Sequence, residues 1–522
     1  MNTSEPTYEK KAAYRNGILR MVFVLLAFLI NVLLILFFVD KLRKDYTWFY
    51  VATTILALVT VLIIYARRMT PSMKMPWIMF ILILPVAGLV FYLLSGLDRG
   101  TKKMRQRYED VDKALLPLLP ENEDVQEELC KKHPYISNIT GYLNSNVGYP
   151  VYTNTDVTYY DDSVKGLEAQ IEELKKAEKF IFMEYHAIEE KESWFKIQDV
   201  LVEKAKQGVD VRVFYDDMGS IGFINKDFVK RLEALGIRAR VFNPFAPGLN
   251  MFLNNRDHRK ITVIDGKVGF TGGYNLANEY FHVVEPYGYW KDTGIKVEGD
   301  AVKSMTVTFL EMWNAIRGTH ENDTDFKQYL PDIEYKAKEK AFVAPYADNP
   351  IDHIHVGEDV YQSIAESATE YVWFVTPYLI ITEETEHILS LAAMRGVDVR
   401  IITPGIPDKK MIYSLTRSYY RHLVRSGVRI YEYTPGFCHA KMSISDDTVA
   451  TCGTINLDYR SLYHHFENGC LFTDCKAVSD IKEDFLGMME VSREVTEQYK
   501  YDEGKILTRI VQLILRLLAP LL

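Results

Sequence analysis

The stretch DHRKITVID at residues 257–265 has a counterpart in CHAKMSISD at residues 438–446. Both stretches fit the pattern H-x-K-x-x-x-x-D, which selects His258, Lys260, Asp265, His439, Lys441 and Asp446. A glycine-containing turn and an asparagine follow each copy at equal offsets, in GGYN ending at Asn275 and GTIN ending at Asn456. A single copy of so short a pattern is weak evidence. Two copies in register indicate an internal duplication.

Short matching sequence segments outside the motif show that the duplication covers more of the chain. The pentapeptide GVDVR occurs at residues 208–212 and again at 396–400, each time after a helical pattern and before an apolar strand. Apolar runs precede both copies, FIFMEYHAI from residue 180 and YVWFVTPYLI from residue 371. Short β-branched and aromatic runs alternate with longer helical patterns, which is typical of α/β layers. We therefore predict two similar α/β domains related by a pseudo-twofold axis.

Strand geometry gives each motif residue a direction. Side chains at i and i+2 point to the same face of a strand, so each histidine stands beside its lysine. Asp265 and Asp446 have the opposite parity, and we expect them to hold strand and turn although they belong to the motif. Pseudo-twofold packing would bring two histidines and two lysines to one site.

The duplicated motif resembles the signature of the phospholipase D superfamily. Further stretches are similar to the bacterial cardiolipin synthases, namely GGYNLANEY, YWKDTG, GTINLDYRS, the terminal LLAPLL and the apolar KMPWIMFILILPVAGLVFYLLSG. The resemblance covers nearly the whole chain and implies two tandem phospholipase D-like α/β/α sandwich domains. It also implies transfer of a phosphatidyl group between two phosphatidylglycerol molecules, giving cardiolipin and glycerol.

The chemistry implied needs no metal and no cofactor. One histidine attacks phosphorus to form a phosphohistidine, and the other protonates the departing alcohol and then deprotonates the incoming one. The lysines, with Asn275 and Asn456, would hold the phosphate oxygens. The sequence does not decide which histidine attacks, and analogy with the family favours His258.

Acidic partners are expected for the histidines, because a nucleophilic imidazole must donate from its second nitrogen. By the resemblance we assign Glu467 to His439 and Asp292 to His258, each beyond the glycine turn of the same half. Ordinary surface carboxylates are the alternative. Glu184, in the apolar strand FIFMEYH, is either a further inward polar group or a carboxylate at a sheet edge.

Three apolar runs, about residues 18–39, 46–65 and 76–95, predict a membrane anchor over residues 1–100. The densest basic cluster follows the third run, which favours a cytoplasmic position for the catalytic part of a multi-pass cell-membrane protein. We divide the remainder into a linker, a first domain, a second domain and an amphipathic tail, at residues 101–150, 151–335, 336–505 and 506–522. The tail lies in the interface or, as we expect, packs on the core. The basic and aromatic stretch 409–425 suits either an anionic membrane surface or solvent.

Composition limits the functions further. The net charge of −9 argues against a nucleic-acid partner, since such binding depends on neutralising phosphates. Five cysteines without a CxxC pair suggest reduced thiols and no zinc site. Phosphatidylglycerol and cardiolipin are the expected partners, and protein partners cannot be read from the sequence. The rival readings are a membrane-bound phospholipase D hydrolase, in which water resolves the phosphohistidine, and a scaffold without turnover.

Overall fold

The structure is a computed structural model of the 522-residue chain. It describes residues 46–95, 102–225, 227–244, 255–316, 320–352, 354–501 and 506–521, with scattered positions between 22 and 45. The first predicted span, residues 18–39, therefore lies largely outside the described residues.

The second predicted span is a helix. Helix α1, Thr47–Ala66, has 20 residues without a single charge, and most of its surface is exposed. In the described part of the chain it is the one helix long and apolar enough to cross a bilayer. This helix fits membrane association of the chain.

The third predicted span is a helical hairpin rather than one helix. Helix α2, Pro71–Ile83, and helix α3, Pro85–Ser95, are separated by Leu84, whose backbone is not helical because proline follows it. The rings of Trp77 and Tyr92 lie 5.4 Å apart, whereas a straight helix would separate these positions by about 22 Å. Over residues 76–95 the structure therefore has parts of two helices, and whether this apolar segment spans a membrane stays a prediction.

Two mixed sheets form the remainder of the fold. The strands are β1 Thr155–Tyr160, β2 Phe180–Tyr185, β3 Asp210–Asp216, β4 Arg238–Phe242, β5 Arg256–Asp257, β6 Lys260–Ile264, β7 Val268–Gly272, β8 Tyr289–Lys291, β9 Gly294–Gly299, β10 Phe342–Asp348, β11 Tyr371–Val375, β12 Asp398–Pro404, β13 Arg429–Tyr433, β14 Gly436–Cys438, β15 Met442–Ser445, β16 Val449–Gly453, β17 His465–Thr473 and β18 Ser492–Glu494.

The helices after the hairpin are α4 Lys102–Leu115, α5 Glu123–Lys132, α6 Pro134–Tyr142, α7 Ser163–Leu174, α8 Glu192–Lys206, α9 Phe228–Ala234, α10 Val302–Ala315, α11 Val356–Ser367, α12 Glu383–Met394, α13 Lys410–Arg425, α14 Tyr459–Tyr463, α15 Lys476–Glu490, α16 Thr496–Tyr501 and α17 Ile506–Leu518. Short 3₁₀ turns occupy Leu116–Leu118, Asn278–Phe281, Lys327–Tyr329 and Ala519–Leu521, and a π turn occupies Leu143–Val147.

The two sheets have the same strand order, which confirms the predicted duplication. The first runs β1-β9-β7-β6-β2-β3-β4, and the second runs β10-β17-β16-β15-β11-β12-β13 with β18 added at its edge. In each sheet the motif strand, β6 or β15, pairs antiparallel with the central strand β2 or β11. The motif strands therefore occupy equivalent positions in the two halves.

Both faces of the first sheet are covered. On β2, Ile181 and Met183 join one buried cluster while Phe180 and Phe182 join the other. The second cluster continues through α10, which is buried along nearly its whole length, into the strands of the second sheet. The α/β/α arrangement predicted from the sequence is confirmed, and one core joins the halves.

Residues 102–147 are more than the predicted linker. Leu115, Leu129 and Leu143 are fully buried in the shared core. The hydroxyl groups of Tyr108 and Tyr149 donate to Glu311 on α10, at 3.1 and 2.9 Å. These helices thus pack against the layer between the two sheets.

Two short parallel pairings exchange strands across the pseudo-twofold axis. Strand β5, just before His258, pairs with the start of β17 in the other half. Strand β14, just before His439, pairs in the same way with β8 of the first half. As a result, each motif begins beside a strand that carries a carboxylate from the opposite half.

Candidate active site

The exchanged pairings fix the backbone of both histidines. The amide of His258 donates to the carbonyl of Phe466 at 2.9 Å, and the amide of His439 donates to the carbonyl of Lys291 at 2.7 Å. Each acceptor immediately precedes a carboxylate residue, Glu467 or Asp292. Main-chain hydrogen bonds therefore set the distance between each histidine and that carboxylate.

His258 is held by Glu467. Its Nδ1 lies 2.9 Å from both carboxylate oxygens of Glu467, which is fully buried. Thr454 and Ser461 also donate their hydroxyls to this carboxylate, each at 2.5 Å. With Nδ1 donating, the lone pair of His258 is on Nε2, the nitrogen that a nucleophile needs.

His439 is held by Asp292. The distance from His439 Nδ1 to Asp292 Oδ2 is 2.7 Å, and the other carboxylate oxygen accepts from the amide of Thr293 at 2.9 Å. Gly273 leaves the room for this carboxylate, because a Cβ there would lie 2.0 Å from Asp292 Oδ1. The second glycine of GGYN is thus explained by the space that the aspartate needs.

The predicted pairing within each half is wrong. The sequence assignment joined Glu467 to His439 and Asp292 to His258, whereas the structure joins each histidine to the carboxylate of the other half. The cause is the strand exchange of β5 with β17 and of β14 with β8, which the linear order of motifs does not reveal. Both carboxylates nevertheless belong to the site.

The two lysines are buried beside the histidines. Lys260 Nζ donates to the carbonyl of its own histidine, His258, at 2.6 Å. Lys441 Nζ also donates to the carbonyl of His439 and lies 2.7 Å from Nδ1 and 3.1 Å from Nε2 of that ring. Both ammonium groups therefore lie beside their own histidine, as the i, i+2 spacing predicts.

Burial and mutual repulsion shape the titration of this site. Desolvation lowers the pKa of Lys260 to about 7 and that of Lys441 to about 8, against the opposing attraction of Glu467 and Asp292. Desolvation and the nearby lysines lower the pKa of His439 to about 4 and that of His258 well below its usual value. Both imidazoles are therefore neutral near pH 7.

The asparagines border the same cavity but are already anchored. Asn275 accepts from the amide of Ala187 at 3.1 Å and donates to the Tyr280 hydroxyl at 2.9 Å. Asn456 donates to Asp458 at 3.0 Å. Each primary amide carries two N–H groups, so each asparagine can offer a further donor to an anion in the cavity.

Asp265 and Asp446 lie away from the reacting groups. Asp265 accepts from three successive amides, residues 178–180, at 2.7 to 2.8 Å, and Asp446 accepts from those of residues 369–371 at 2.7 to 2.9 Å. Both have a positive φ, 54° and 52°, at the turn after the motif strand. These contacts are those of positioning residues, which agrees with the parity of the motif.

Glu184 is an inward polar group. It is fully buried on β2, between β3 and β6, so the sheet-edge alternative is wrong. Burial and the neighbouring Asp257 carboxylate raise its pKa well above the usual value. Its nearest cation is Arg259, at 4.0 Å, and it does not border the cavity of the histidines.

Other residues of the site were missed from the sequence. His186 and His465 lie with ring centroids 5.0 and 5.3 Å from that of His258. Tyr280 and Trp290 take the corresponding places beside His439, at 5.3 and 5.5 Å. His465 and Trp290 each precede a site carboxylate by two residues, and this shared parity would have identified them.

A single cavity of about 500 Å³ contains both motif histidines and both asparagines in its wall. Donor atoms of His258, His465 and Glu467 also lie within 4.8 Å of one another, a spacing compatible with a metal ion. The absence of a metal requirement remains a prediction. What the geometry provides is two neutral imidazoles at one cavity, each backed by a buried lysine and a carboxylate partner.

Comparison with known proteins agrees with this geometry. Residues 170–313 and 361–489 match the family described as cardiolipin synthase, PLD-like domain, and residues 52–96 match the phospholipase D-nuclease N-terminal family. The chain is 31% identical to a cardiolipin synthase of Halalkalibacterium halodurans, over 91% of this chain and 95% of that protein. It is 32% identical to cardiolipin synthase 2 of Bacillus anthracis, over 88% and 89% of the two chains.

One further relative and one solved structure also resemble this chain. An uncharacterized protein of Streptococcus mutans is 43% identical over 89% of this chain and 99% of its own length. The crystal structure of phosphatidylserine synthase from Haemophilus influenzae superposes with a TM-score of 0.55 at 16% identity, covering 74% of this chain and 97% of that one, which supports the fold. Together with the duplicated motif and the shared cavity, these matches show that the chain belongs to the cardiolipin synthase family of phospholipase D-like proteins.

Proposed function

We propose that this protein is a cardiolipin synthase that moves a phosphatidyl group from one phosphatidylglycerol to a second, releasing glycerol. The observation that supports this most strongly is the pair of histidines at one cavity, each oriented by a carboxylate of the opposite half. Such a site suits a phosphodiester exchange in two steps. Its relatives are named for the same reaction.

In the first step Nε2 of His258 attacks phosphorus, and the bond from phosphorus to the glycerol oxygen breaks. His439 gives a proton to the departing oxygen, so glycerol leaves neutral and the phosphatidyl group remains on His258. Because the pKa of His439 is low in the empty site, we infer that it takes up its proton as the anionic substrate binds. We follow the family resemblance in assigning the attack to His258.

In the second step the hydroxyl group of another phosphatidylglycerol enters the place that glycerol left. His439 takes its proton as the oxygen attacks phosphorus, the nitrogen–phosphorus bond breaks, and cardiolipin forms. Lys260 and Lys441, with the amides of Asn275 and Asn456, stabilise the charge on the phosphate oxygens in both steps. Because the steps mirror each other, excess glycerol should reverse the reaction.

The test is a product assay with detergent-solubilised protein and labelled phosphatidylglycerol. We expect cardiolipin and free glycerol from the intact chain, and a loss of at least about 10³-fold in either His258→Ala or His439→Ala. His320→Ala, a partly exposed histidine paired with Glu233, is the matched control and should keep full activity. Phosphatidic acid as the sole product would instead establish the hydrolase, and no product with any lipid would favour a scaffold.

We also propose a multi-pass anchor with the catalytic halves in the cytoplasm. The basic cluster after residue 98 and the unpaired cysteines support that side. Cys130 is exposed and provides a native probe. In a Cys475→Ser background, a membrane-impermeant maleimide should label Cys130 only after cells are permeabilised. Labelling in intact cells would place the catalytic part outside.

A further inference from the structure

A second cleft lies between α13 and α17, and it shares no wall residue with the cavity of the catalytic histidines. Its volume is about 390 Å³. The cleft is notable for its cations, which come from both helices: Lys410, Arg417, Arg421, Arg509 and Arg516. A concave surface with this lining suits an anion.

The positive charge of the cleft is only partly neutralised. Arg417 pairs with Glu432 at 2.8 and 2.9 Å, and Arg516 pairs with Glu386 at 3.0 Å. Arg509 is different, because its Nε is buried and has no hydrogen-bond partner among the described residues. A buried donor of this kind is costly unless a ligand or water accepts from it. The cleft therefore offers a binding position for an acceptor oxygen.

The outer face of the same helix is apolar and exposed. On α17, Ile506 is 76% exposed, Leu507 74% and Ile514 53%. The polar side chains point inward instead, and Gln512 donates to the carbonyl of Ser414 on α13 at 3.1 Å. This helix exposes its apolar side chains and turns its arginines toward the protein. Such a helix is suited to lie against the acyl region of a membrane.

The cleft lies close to the membrane anchor and to the catalytic cavity without joining either. Helix α17 packs against α2 of the helical hairpin as well as against α13. Ala519, just past the end of α17, contributes to the wall of the catalytic cavity, as does Lys409, next to Lys410 of the cleft. Lipid acyl chains that cover the exposed apolar residues of α17 would thus extend toward the catalytic cavity, where the proposed substrates react.

We propose that this cleft binds the phosphate of an anionic phospholipid, whose acyl chains lie along the exposed apolar face of α17. The lipid is distinct from those that react, because no cleft residue reaches the catalytic cavity. Its phosphate is held by Arg509 and Lys410, and it fixes the tail helix in the membrane interface. The proposal does not depend on the chemistry assigned to the histidines.

Lipid retention measured by native mass spectrometry tests the cleft. The chain is released from detergent micelles containing phosphatidylglycerol, in a His258→Ala background that prevents turnover. We expect the Lys410→Gln/Arg509→Gln variant to retain one phosphatidylglycerol fewer than the parent, with equal retention of phosphatidylcholine. The control Lys131→Gln/Lys476→Gln removes two exposed cations elsewhere and should retain the full number.

Equal retention by both double variants would overturn the proposal. Inorganic phosphate is added in a parallel arm, and complete displacement of the extra lipid by phosphate would show a free-phosphate site rather than a lipid site. Persistence of the extra phosphatidylglycerol in that arm supports the lipid.

A second measurement does not require the double variant to fold. In a Cys130→Ser/Cys475→Ser background, a nitroxide is placed at Ile514→Cys in nanodiscs that contain phosphatidylglycerol. We expect it to be more accessible to oxygen than to a water-soluble nickel chelate. A label at Tyr135→Cys, a position 66% exposed on α6, should show the opposite preference. An Ile514→Cys label that behaves like the Tyr135→Cys label would contradict burial of the apolar face in lipid.

Discussion

The two halves build the same scaffold but surround their histidines differently. His258 has two imidazoles as ring neighbours, His186 and His465. His439 has aromatic neighbours instead, at ring distances of 5.3 to 5.8 Å: Tyr280, Trp290 and Phe437. The groups that carry the proposed transfer are common to both halves, whereas the positions that flank them differ.

The comparison also shows that the halves depend on each other. Glu467 and Asp292 occupy equivalent positions two residues after His465 and Trp290, yet each serves the histidine of the other half. A half taken alone would have a histidine without its acceptor. The pseudo-twofold interface is therefore part of the active site, and changes in one half are expected to act on the histidine of the other.

Outside the histidines themselves, the largest effect is expected at the glycine turn, where the halves differ. Gly273 occupies the place that Thr454 takes in the second half, and Gly273→Ala would force Asp292 away from His439. A displacement of about 1 Å in a catalytic group costs about 10²-fold in rate. We expect a fall of that size in kcat for cardiolipin formation. Gly487→Ala, with open space around its Cβ position, is the control and should keep the parent rate.

The two motif aspartates should differ in stability rather than in chemistry. Asp265 binds three amides in a mostly buried turn, while the amides of Thr369 and Glu370 that Asp446 binds are exposed to water. We expect Asp265→Ala to lower the free energy of unfolding by about 2 kcal/mol and Asp446→Ala by about 1 kcal/mol, because water replaces the lost bonds in the second case. Thermal unfolding followed by near-ultraviolet circular dichroism measures both. Equal losses would indicate that the turns are equally solvated.

A smaller effect is expected in the pH dependence of kcat/KM, which should distinguish the two lysines. Both must be charged to hold the phosphate, and the charge is lost as pH rises through each pKa, about 7 for Lys260 and about 8 for Lys441. The alkaline fall in kcat/KM should therefore begin with Lys260. Arginine stays charged, so Lys260→Arg should move this fall toward pH 8, at a lower maximal rate because the guanidinium has a different shape. Lys441→Arg should leave its position unchanged, and the reverse result would exchange the roles of the two lysines.

Much of this architecture could be predicted from the sequence, because its signals are local or repeated. The repeated segment GVDVR and its similar flanks predict the two domains. The i, i+2 spacing places each lysine beside its histidine. The parity of Asp265 and Asp446 correctly predicts their role in holding strand and turn. These inferences succeed because strand periodicity is a property of consecutive residues.

The features that were missed depend on contacts between distant segments. The crossing of Glu467 and Asp292 follows from strand exchange between the halves, which the order of residues along the chain does not encode. Pro85 does carry a local signal for the hairpin that the structure has within the third apolar run. His186 reaches His258 from a segment far before the motif and has no such local signal, so only the packed structure brings it to the site.

The most direct test of the crossed site follows a single turnover. A phosphatidyl ester of p-nitrophenol has a leaving group that needs no proton, so His439→Ala should still release one nitrophenol per enzyme, and His258→Ala should release none. Added to His439→Ala, Glu467→Gln should slow this burst by about 10²-fold, because a neutral amide, which can also donate, replaces the carboxylate that orients His258. Asp292→Asn in the same background should leave the burst unchanged. A burst that is lost with Asp292→Asn and kept with Glu467→Gln would contradict the crossed pairing.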